Sequence, residues 1–524
     1  MLGHEYYRYY GYDLWANKTN QYSVFNKELA GAVVPGSANS SFSDYNTESW
    51  LSRFLYNYNE RYYASFSLMR EASSNFSKED GKWWGTFWSI GAGWLINKEK
   101  FMEGVTWLDE LKLKASYGEN GNDDIGSYRY IPYYDISNSN NNVSLTPSSL
   151  GNPDISWEKN GKFNIGFDFA MFNSRFTGSI EYYSNRTDDM LSWVSLPPSF
   201  GFDGYYDNVG NMVNRGVEID LHYDVIRTKD FTWNVYANMT TNHNEITKLT
   251  EERKSWYDEL GRLGYSSGSY FYTEGESRYT YYTKRYAGVD PDTGLSQFWK
   301  NIYDFKVVGQ DADGNDIKET IFYDVDGKVI DNPDSYTGEK RRKIIGEEKT
   351  TVYNDADYYL CGDVLPDVYG GFGTSIAWKG FDFSADFQYQ IGGLVYDGTY
   401  AGSMGFSAGR AIHVDMLDAW SAENPNSNIP RMQFNDSYMA AGSDRWLTDA
   451  SYLTLANVTV GYTLPRSFVS KIGLQKVRLY AVGDNIWTWS KRQGLDPRQS
   501  ITGSTTNSYY KPIRTISGGI TVTF

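Results

Sequence analysis

The run GVEIDLHYDV, residues 216–225, decides the fold. Val217, Ile219, Leu221, Tyr223 and Val225 are apolar, and Glu218, Asp220, His222 and Asp224 stand between them. Successive side chains of a strand point to opposite sides, so strict alternation specifies an extended strand whose two faces meet different surroundings. Two arrangements satisfy it. A soluble sheet packs one face on a dry core and wets the other. A strand of a membrane barrel gives one face to lipid and the other to an aqueous lumen.

The alternation recurs along the chain. Phe163, Ile165, Phe167 and Phe169 share one face, and after the turn FNSR so do Phe176, Gly178, Ile180 and Tyr182. Phe231, Trp233, Val235, Ala237 and Met239 repeat it, as do Phe381, Phe383, Ala385, Phe387 and Tyr389. Val477, Leu479 and Ala481 alternate with Arg478 and Tyr480. In YLTLANVTVGYTL the phase slips by one near Ala456 and Asn457, which predicts a β-bulge.

Composition narrows the classes. The chain has 524 residues, room for several soluble domains or one large barrel. Its mean hydropathy is −0.57, and no apolar run approaches the roughly 20 residues that a membrane helix needs. A barrel escapes that exclusion, because only alternate residues need be apolar. Aromatics make up 17%, with 46 Tyr and 17 Trp. Such residues favour strands and gather at membrane interfaces, where the ring is in an apolar zone and the polar tip stays wet. The formal charge of −16 argues against nucleic acid as a partner, since carboxylates repel phosphates. One cysteine, Cys361, permits no intrachain disulfide. The opening MLGHEYYRYYGYDLW has neither the basic start nor the apolar core of a secretory signal. A barrel must be exported, so the expectation is that the chain begins partway into a longer protein.

Connection lengths separate the two arrangements. Short links at Asn59–Glu60, Asn173–Ser174, IRTKD and Lys379–Gly380 alternate with long polar ones near 120–156, 192–207, 247–365, 393–445 and 490–510. Outer-membrane barrels combine tight periplasmic turns with long extracellular loops. About 14 strands are expected. Trp94, Trp193, Trp378 and Trp487 end segments, at natural girdle positions. The chain closes on GGITVTF, where Ile520, Val522 and Phe524 alternate. That pattern is expected to serve barrel assembly, since bacterial outer-membrane barrels commonly end on an apolar alternating strand.

Several stretches resemble one family. ESWLSRFLYNYNERYYASFSLMREASSNF, LKLKASYGENGNDDIGSY, LGNPDISWEKNGKFNIGFDFAMFNSRFTGSIEYY, NVGNMVNRGVEIDLHY, DVLPDVYGGFGTSIAWKGFDFSADFQYQIGG and VRLYAVGDNIWTWSKRQGLDP are similar to the barrel of SusC/RagA-type TonB-dependent transporters. The resemblance implies an all-β, antiparallel transmembrane β-barrel in a Bacteroidota-type outer membrane, importing nutrient, usually oligosaccharide and sometimes peptide. It implies a SusD-like surface lipoprotein as lid and the TonB–ExbB–ExbD system as energy source. Family barrels have about 22 strands, so this chain reads as the C-terminal part. Plug, TonB box and signal peptide are expected to be absent from it.

Motifs for chemistry are weak. GFSAG, residues 405–409, matches the G-x-S-x-G elbow around Ser407, with His413 and Asp415 beyond, but an elbow needs a strand before the serine and a helix after it. A Gly/Ser-rich loop explains it. DADGND, residues 311–316, has Asp316 where a calcium loop needs Gly and Phe322 where it needs Glu. With Asp324 and Asp326 it reads as a solvated acidic hairpin. EKRRK, residues 339–343, reads as a solvated loop, or as a contact for an acidic partner. Cys361 is expected to pack quietly and His222 to face water. No catalytic, cofactor or metal constellation is expected. Aromatic and amide groups around 270–286 and 396–406 suit stacking on sugar faces and bonding to hydroxyls, or packing against a lipoprotein lid. The alternative function is a soluble or surface glycan-binding β-protein, and a third is a hydrolase using Ser407.

Overall fold

The computed structural model describes residues 1–79, 81–139, 142–254, 256–258, 261–311, 313–336, 340–406, 409–434, 436, 438–492, 494–499, 503–505 and 512–524. Its large antiparallel sheet holds 15 strands, against the 14 or so expected. We number the principal ones β1 (Leu2–Gln21), β2 (Ala32–Tyr58), β3 (Tyr62–Ser73), β4 (Trp84–Leu95), β5 (Leu108–Asn122), β6 (Glu158–Met171), β7 (Phe176–Asp188), β8 (Gly210–Arg227), β9 (Phe231–Thr241), β10 (Val368–Trp378), β11 (Phe381–Ile391), β12 (Tyr452–Thr463), β13 (Lys476–Ser490) and β14 (Thr515–Thr523).

The chain forms two compact units, one of residues 1–98, 113–165 and 185–211, the other of residues 99–112, 166–184 and 212–524. In the first, β1 to β4 form an antiparallel meander. A four-stranded sheet of Tyr133–Ser139, Asn142–Ser149, Leu191–Ser195 and Gly204–Asn208 accompanies it. A core of Phe76, Phe87, Ile125, Ile155 and Trp157 anchors the unit. Each such side chain is stabilised by about 1.5–3 kcal/mol on leaving water. Trp157 also donates its Nε1–H to the Trp83 carbonyl at 3.2 Å. Trp193, expected at a membrane girdle, lies instead in this smaller sheet, edge-on to Tyr206 at 5.3 Å.

In the second unit β8 to β14 follow one another as antiparallel neighbours. Trp378 pairs with Phe381 across Lys379 and Gly380, whose φ angles are +46° and +93°. A two-residue hairpin needs positive φ at both positions to match strand twist. The expected bulge is present: Asp386 pairs with Asn457 but Phe387 pairs with Leu455, so Ala456 is the extra residue.

The 11 residues of β9 rise about 36 Å, and a tilt near 40° leaves roughly 28 Å, enough for the ~25 Å apolar band of an outer-membrane barrel. The solvents of the two faces follow from exposure. Phe167 is 44% exposed, Phe381 52% and Ile520 67%, and neither Ile219 nor Trp233 is buried. A soluble sheet would bury this face. Here it is left bare along strand after strand, which is the signature of a surface meant for hydrocarbon. Buried apolar clusters lie mainly in the long links and at the strand ends beside them.

Candidate functional site

The polar face of the second unit carries a hydrogen-bonded array. His222 Nε2 is 2.9 Å from Asp220 Oδ1, and its ring stacks 5.8 Å from that of Tyr236. Tyr236 donates its hydroxyl to Asp386 Oδ1 at 2.7 Å. Asn234 donates to Asp224 Oδ1 at 3.0 Å, and Asn457 to Asp484 Oδ1 at 2.7 Å. Arg478 grips Asp382 through both Nε, at 3.0 Å, and Nη2. His222 is half exposed, the wet position expected for it. Such a face suits a hydrated lumen and a hydroxyl-rich or amide-rich solute, because carboxylates and amides both exchange hydrogen bonds with water readily.

The links of residues 242–367 and 392–451 build a second candidate surface. Short sheets form within them: Leu263–Ser267, Tyr270–Thr273, Thr280–Lys284 and Tyr358–Asp363 belong to one, and Tyr286–Val289, Ser296–Tyr303 and Ile344–Thr350 to another. The aromatics expected to offer an open stacking platform largely stack on one another. Phe271 and Tyr281 are buried, Phe271 lies 4.7 Å from Tyr282, and Tyr353 stacks on Tyr438 at 5.5 Å. Tyr281 donates to the Gly503 carbonyl. Burial pushes the Tyr286 and Tyr353 phenols up to about 12. The sequence suggested contact with ligand because stacking residues look alike whether they meet a sugar or each other.

The stretch 396–406 becomes helix α1 (Gly398–Met404), capped by Asp397, whose carboxylate accepts the Tyr400 amide at 3.0 Å. Ala401 and Met404 pack with Met416, Met439 and Trp446 in a closed cluster. A helix therefore precedes the GFSAG stretch, the reverse of a nucleophile elbow. Ser407 lies outside the described residues. Asp415 accepts the Tyr400 hydroxyl at 2.7 Å and His413 Nδ1 accepts the Asp415 amide at 3.2 Å, so both serve local structure. The Tyr400 phenol is pushed up to about 12, by burial first and by Asp415 next.

The acidic stretch forms an exposed hairpin of Phe305–Gln310 and Asp316–Thr320. The Asn315 side chain donates to Asp311 Oδ2 at 3.0 Å, and Oδ1 accepts the amides of Asn315 and Asp313 at 2.8 and 2.9 Å; these bonds, the side-chain one first, hold the Asp311 carboxyl below the usual range. Of EKRRK, Glu339 lies outside the described residues. Arg341 and Arg342 pair with Tyr323 and Phe322, and Arg342 lies 4.0 Å over the Tyr303 ring. Cys361 is half-buried with Sγ 3.3 Å from the Tyr359 carbonyl oxygen.

Val414 and Leu417, on the 3-10 turn Val414–Asp418, stand exposed, Leu417 at 84%. In a 3-10 turn residues i and i+3 eclipse, so both share a side while Met416 enters the core. Phe434, 60% exposed, meets Phe406 at 6.4 Å. The apolar residues of DMLDAW show no period, so the sequence cannot tell the buried from the bare. In β14 Ile520 pairs with Leu479 and Val522 with Val477, and Phe524 stands exposed beyond it.

Comparisons with known proteins complete the picture. Residues 2–486 match the family model "TonB dependent receptor-like, beta-barrel". The chain is 28% identical over 520 residues to TonB-dependent receptor P3 of Formosa agariphila, covering 97% of this chain and 48% of that protein. It is 28% identical over 481 residues to TonB-dependent receptor SusC of Bacteroides thetaiotaomicron, covering 90% and 43%. The solved RagAB peptide transporter superposes with a TM-score of 0.78 at 28% identity, over all of this chain and 53% of that one. The chain thus spans about half the length of the curated relatives it matches. The SusC and RagAB matches agree with the SusC/RagA resemblance of the sequence, and the bare apolar face agrees with an outer-membrane setting. The chain belongs to the TonB-dependent receptor β-barrel family.

Proposed function

We propose that this chain is wall and extracellular loops of a TonB-dependent nutrient importer. The carrying observation is the pairing of a bare apolar face with a hydrogen-bonded polar face on the same strands, from Tyr236 and Asp386 inside to Phe381 and Ile520 outside. The long links face the cell exterior in this reading. The substrate is an oligosaccharide or a peptide, either of which can exchange hydrogen bonds with the carboxylates and amides of the lumen. The similarity to RagAB, a peptide transporter, supports the peptide half of this class. Transport is energised by TonB–ExbB–ExbD acting on the rest of the importer, and no chemical step is assigned to this chain. Ile520, Val522 and Phe524 are assigned to recognition during barrel assembly.

A SusD-like lipoprotein is the proposed partner, and Val414, Leu417 and Phe434 are its proposed footing. Exposed apolar side chains on a long link suit an interaction surface rather than a folding core. The test is co-purification from outer membranes of cells carrying a tagged importer. Leu417→Asp with Phe434→Asp is expected to lose the lipoprotein while the importer keeps its level and its heat-modifiable gel shift. An unchanged lipoprotein yield would refute this footing. Uptake of labelled oligosaccharides and peptides by a deletion strain tests the substrate class, and normal growth on every one would refute the importer reading.

A further inference from the structure

The outward face of the second unit is not uniformly full. A groove of about 460 Å³ opens on it. The register explains the hollow. Leu221, Ala237, Phe372 and Phe387 form one cross-strand row, and Tyr223, Val235, Thr374 and Ala385 the next. β9 therefore contributes Val235 and Ala237 between neighbours with rings. On one side Phe176 meets Tyr223 edge-on at 6.0 Å, and on the other Phe372 stacks on Phe387 at 4.9 Å and 8°. Small residues flanked by paired rings leave a trough along the strand, about two strand spacings wide, or roughly 10 Å.

Its polarity is settled by one hydroxyl. Thr374 Oγ1 accepts the Trp233 Nε1–H at 2.9 Å and donates to the Asn234 carbonyl at 3.0 Å. The neighbouring polar groups, His222 and Tyr236, point to the lumen side, where His222 meets Asp220 and Tyr236 meets Asp386. Nothing in the trough calls for a polar ligand. Its rows stand at Phe372 and Thr374, in the middle of Val368–Trp378, at hydrocarbon depth rather than at the headgroups.

We propose that this trough is a binding site for one acyl chain of an outer-membrane lipid. The lipid-facing belt supplies the continuity: the groove is part of the surface that hydrocarbon already covers, and the rings on both sides confine a chain that elsewhere slides freely. A chain held there makes contacts with two ring pairs and with β9 at once, so it exchanges more slowly than its neighbours.

The experiment counts lipids by native mass spectrometry on the intact importer purified from outer membranes in mild detergent. Wild type is expected to hold one more lipid per chain than Ala237→Phe, whose ring fills the trough. Val460→Phe, on the same face of β12 away from the groove, is expected to match wild type. Ala237→Leu, a gentler filling, is expected to give an intermediate loss should the larger ring impair folding. Equal retention by wild type and both Ala237 variants overturns the site. So does a retained mass that proves to be detergent or the acyl anchor of a lipoprotein.

Discussion

Tyr236 and Asp386 meet across β10, phenol to carboxylate at 2.7 Å, over a glycine that lets them. A Cβ at Gly373 would stand 2.6 Å from the Tyr236 ring and 2.7 Å from the Asp386 oxygen. Tyr236→Phe is expected to cost about 1.5 kcal/mol, the low end for a bond to a charged acceptor because the place is partly wet. Gly373→Val is expected to cost more, because it displaces both partners. The urea midpoint of the heat-modifiable gel shift measures both, and equal midpoints for Gly373→Val and wild type would contradict the close approach.

Gly461 plays the same part beneath the Arg478–Asp382 pair, where a Cβ would fall 2.4 Å from an Asp382 oxygen and 2.5 Å from an Arg478 nitrogen. Arg478 and Asp382 form an ion pair, and both side chains remain about a third exposed. Gly461→Ala is expected to open the pair, because the added methyl takes the space the two side chains share. A crystal structure of the variant with the pair intact would contradict this.

Trp446 closes the core of the 392–451 link. It is fully buried, and its Nε1–H reaches the Ala441 carbonyl at 2.8 Å. Trp446→Ala is expected to cost about 3–5 kcal/mol locally. Limited proteolysis should then cut within that link while the strands stay protected. Cutting no faster than in wild type would show the cluster to be dispensable.

Lys284 gives the loops a pH dependence. It is buried, its Nζ donates to the Tyr353 carbonyl, and the ring of Tyr353 lies 4.1 Å away. Burial holds its pKa below the ordinary 10.5, against the opposing pull of Asp357 and Asp355. The unfolded chain thus binds the proton more tightly than the folded one. The cost is full below the folded pKa and fades as pH rises through it towards 10.5. Hydrogen exchange over residues 280–284, corrected for intrinsic rates, should show protection growing from pH 7 to pH 10 in wild type. In Lys284→Met that growth should vanish.

Phe524 is 84% exposed, yet it continues the pattern of Ile520 and Val522. Phe524→Ala is expected to lower the amount of protein assembled in the outer membrane and leave the stability of the assembled fraction unchanged. A loss of stability instead would make the ring a packing residue.

Much of the wall was legible before any coordinates. The period of two is a local consequence of the pleat, so Val217 to Val225 declared two faces without knowing their neighbours. The extra residue Ala456 was visible as a phase slip, and the tight turn at Lys379–Gly380 as a two-residue gap between Trp378 and Phe381. The sequence by itself therefore determined the strands, their faces and their short turns. Only the tertiary structure decided that Phe271, Tyr281 and Trp446 are interior, that Leu417 and Phe434 are bare, and that Trp193 sits in a smaller sheet. The reason is the range of the forces involved. Pleating acts between adjacent residues and repeats, whereas link packing joins positions such as Tyr353 and Tyr438, far apart in the chain and bound to no period. The hollow beside Ala237 belongs to that second kind, since it exists only once the registers of β8 to β11 are set side by side.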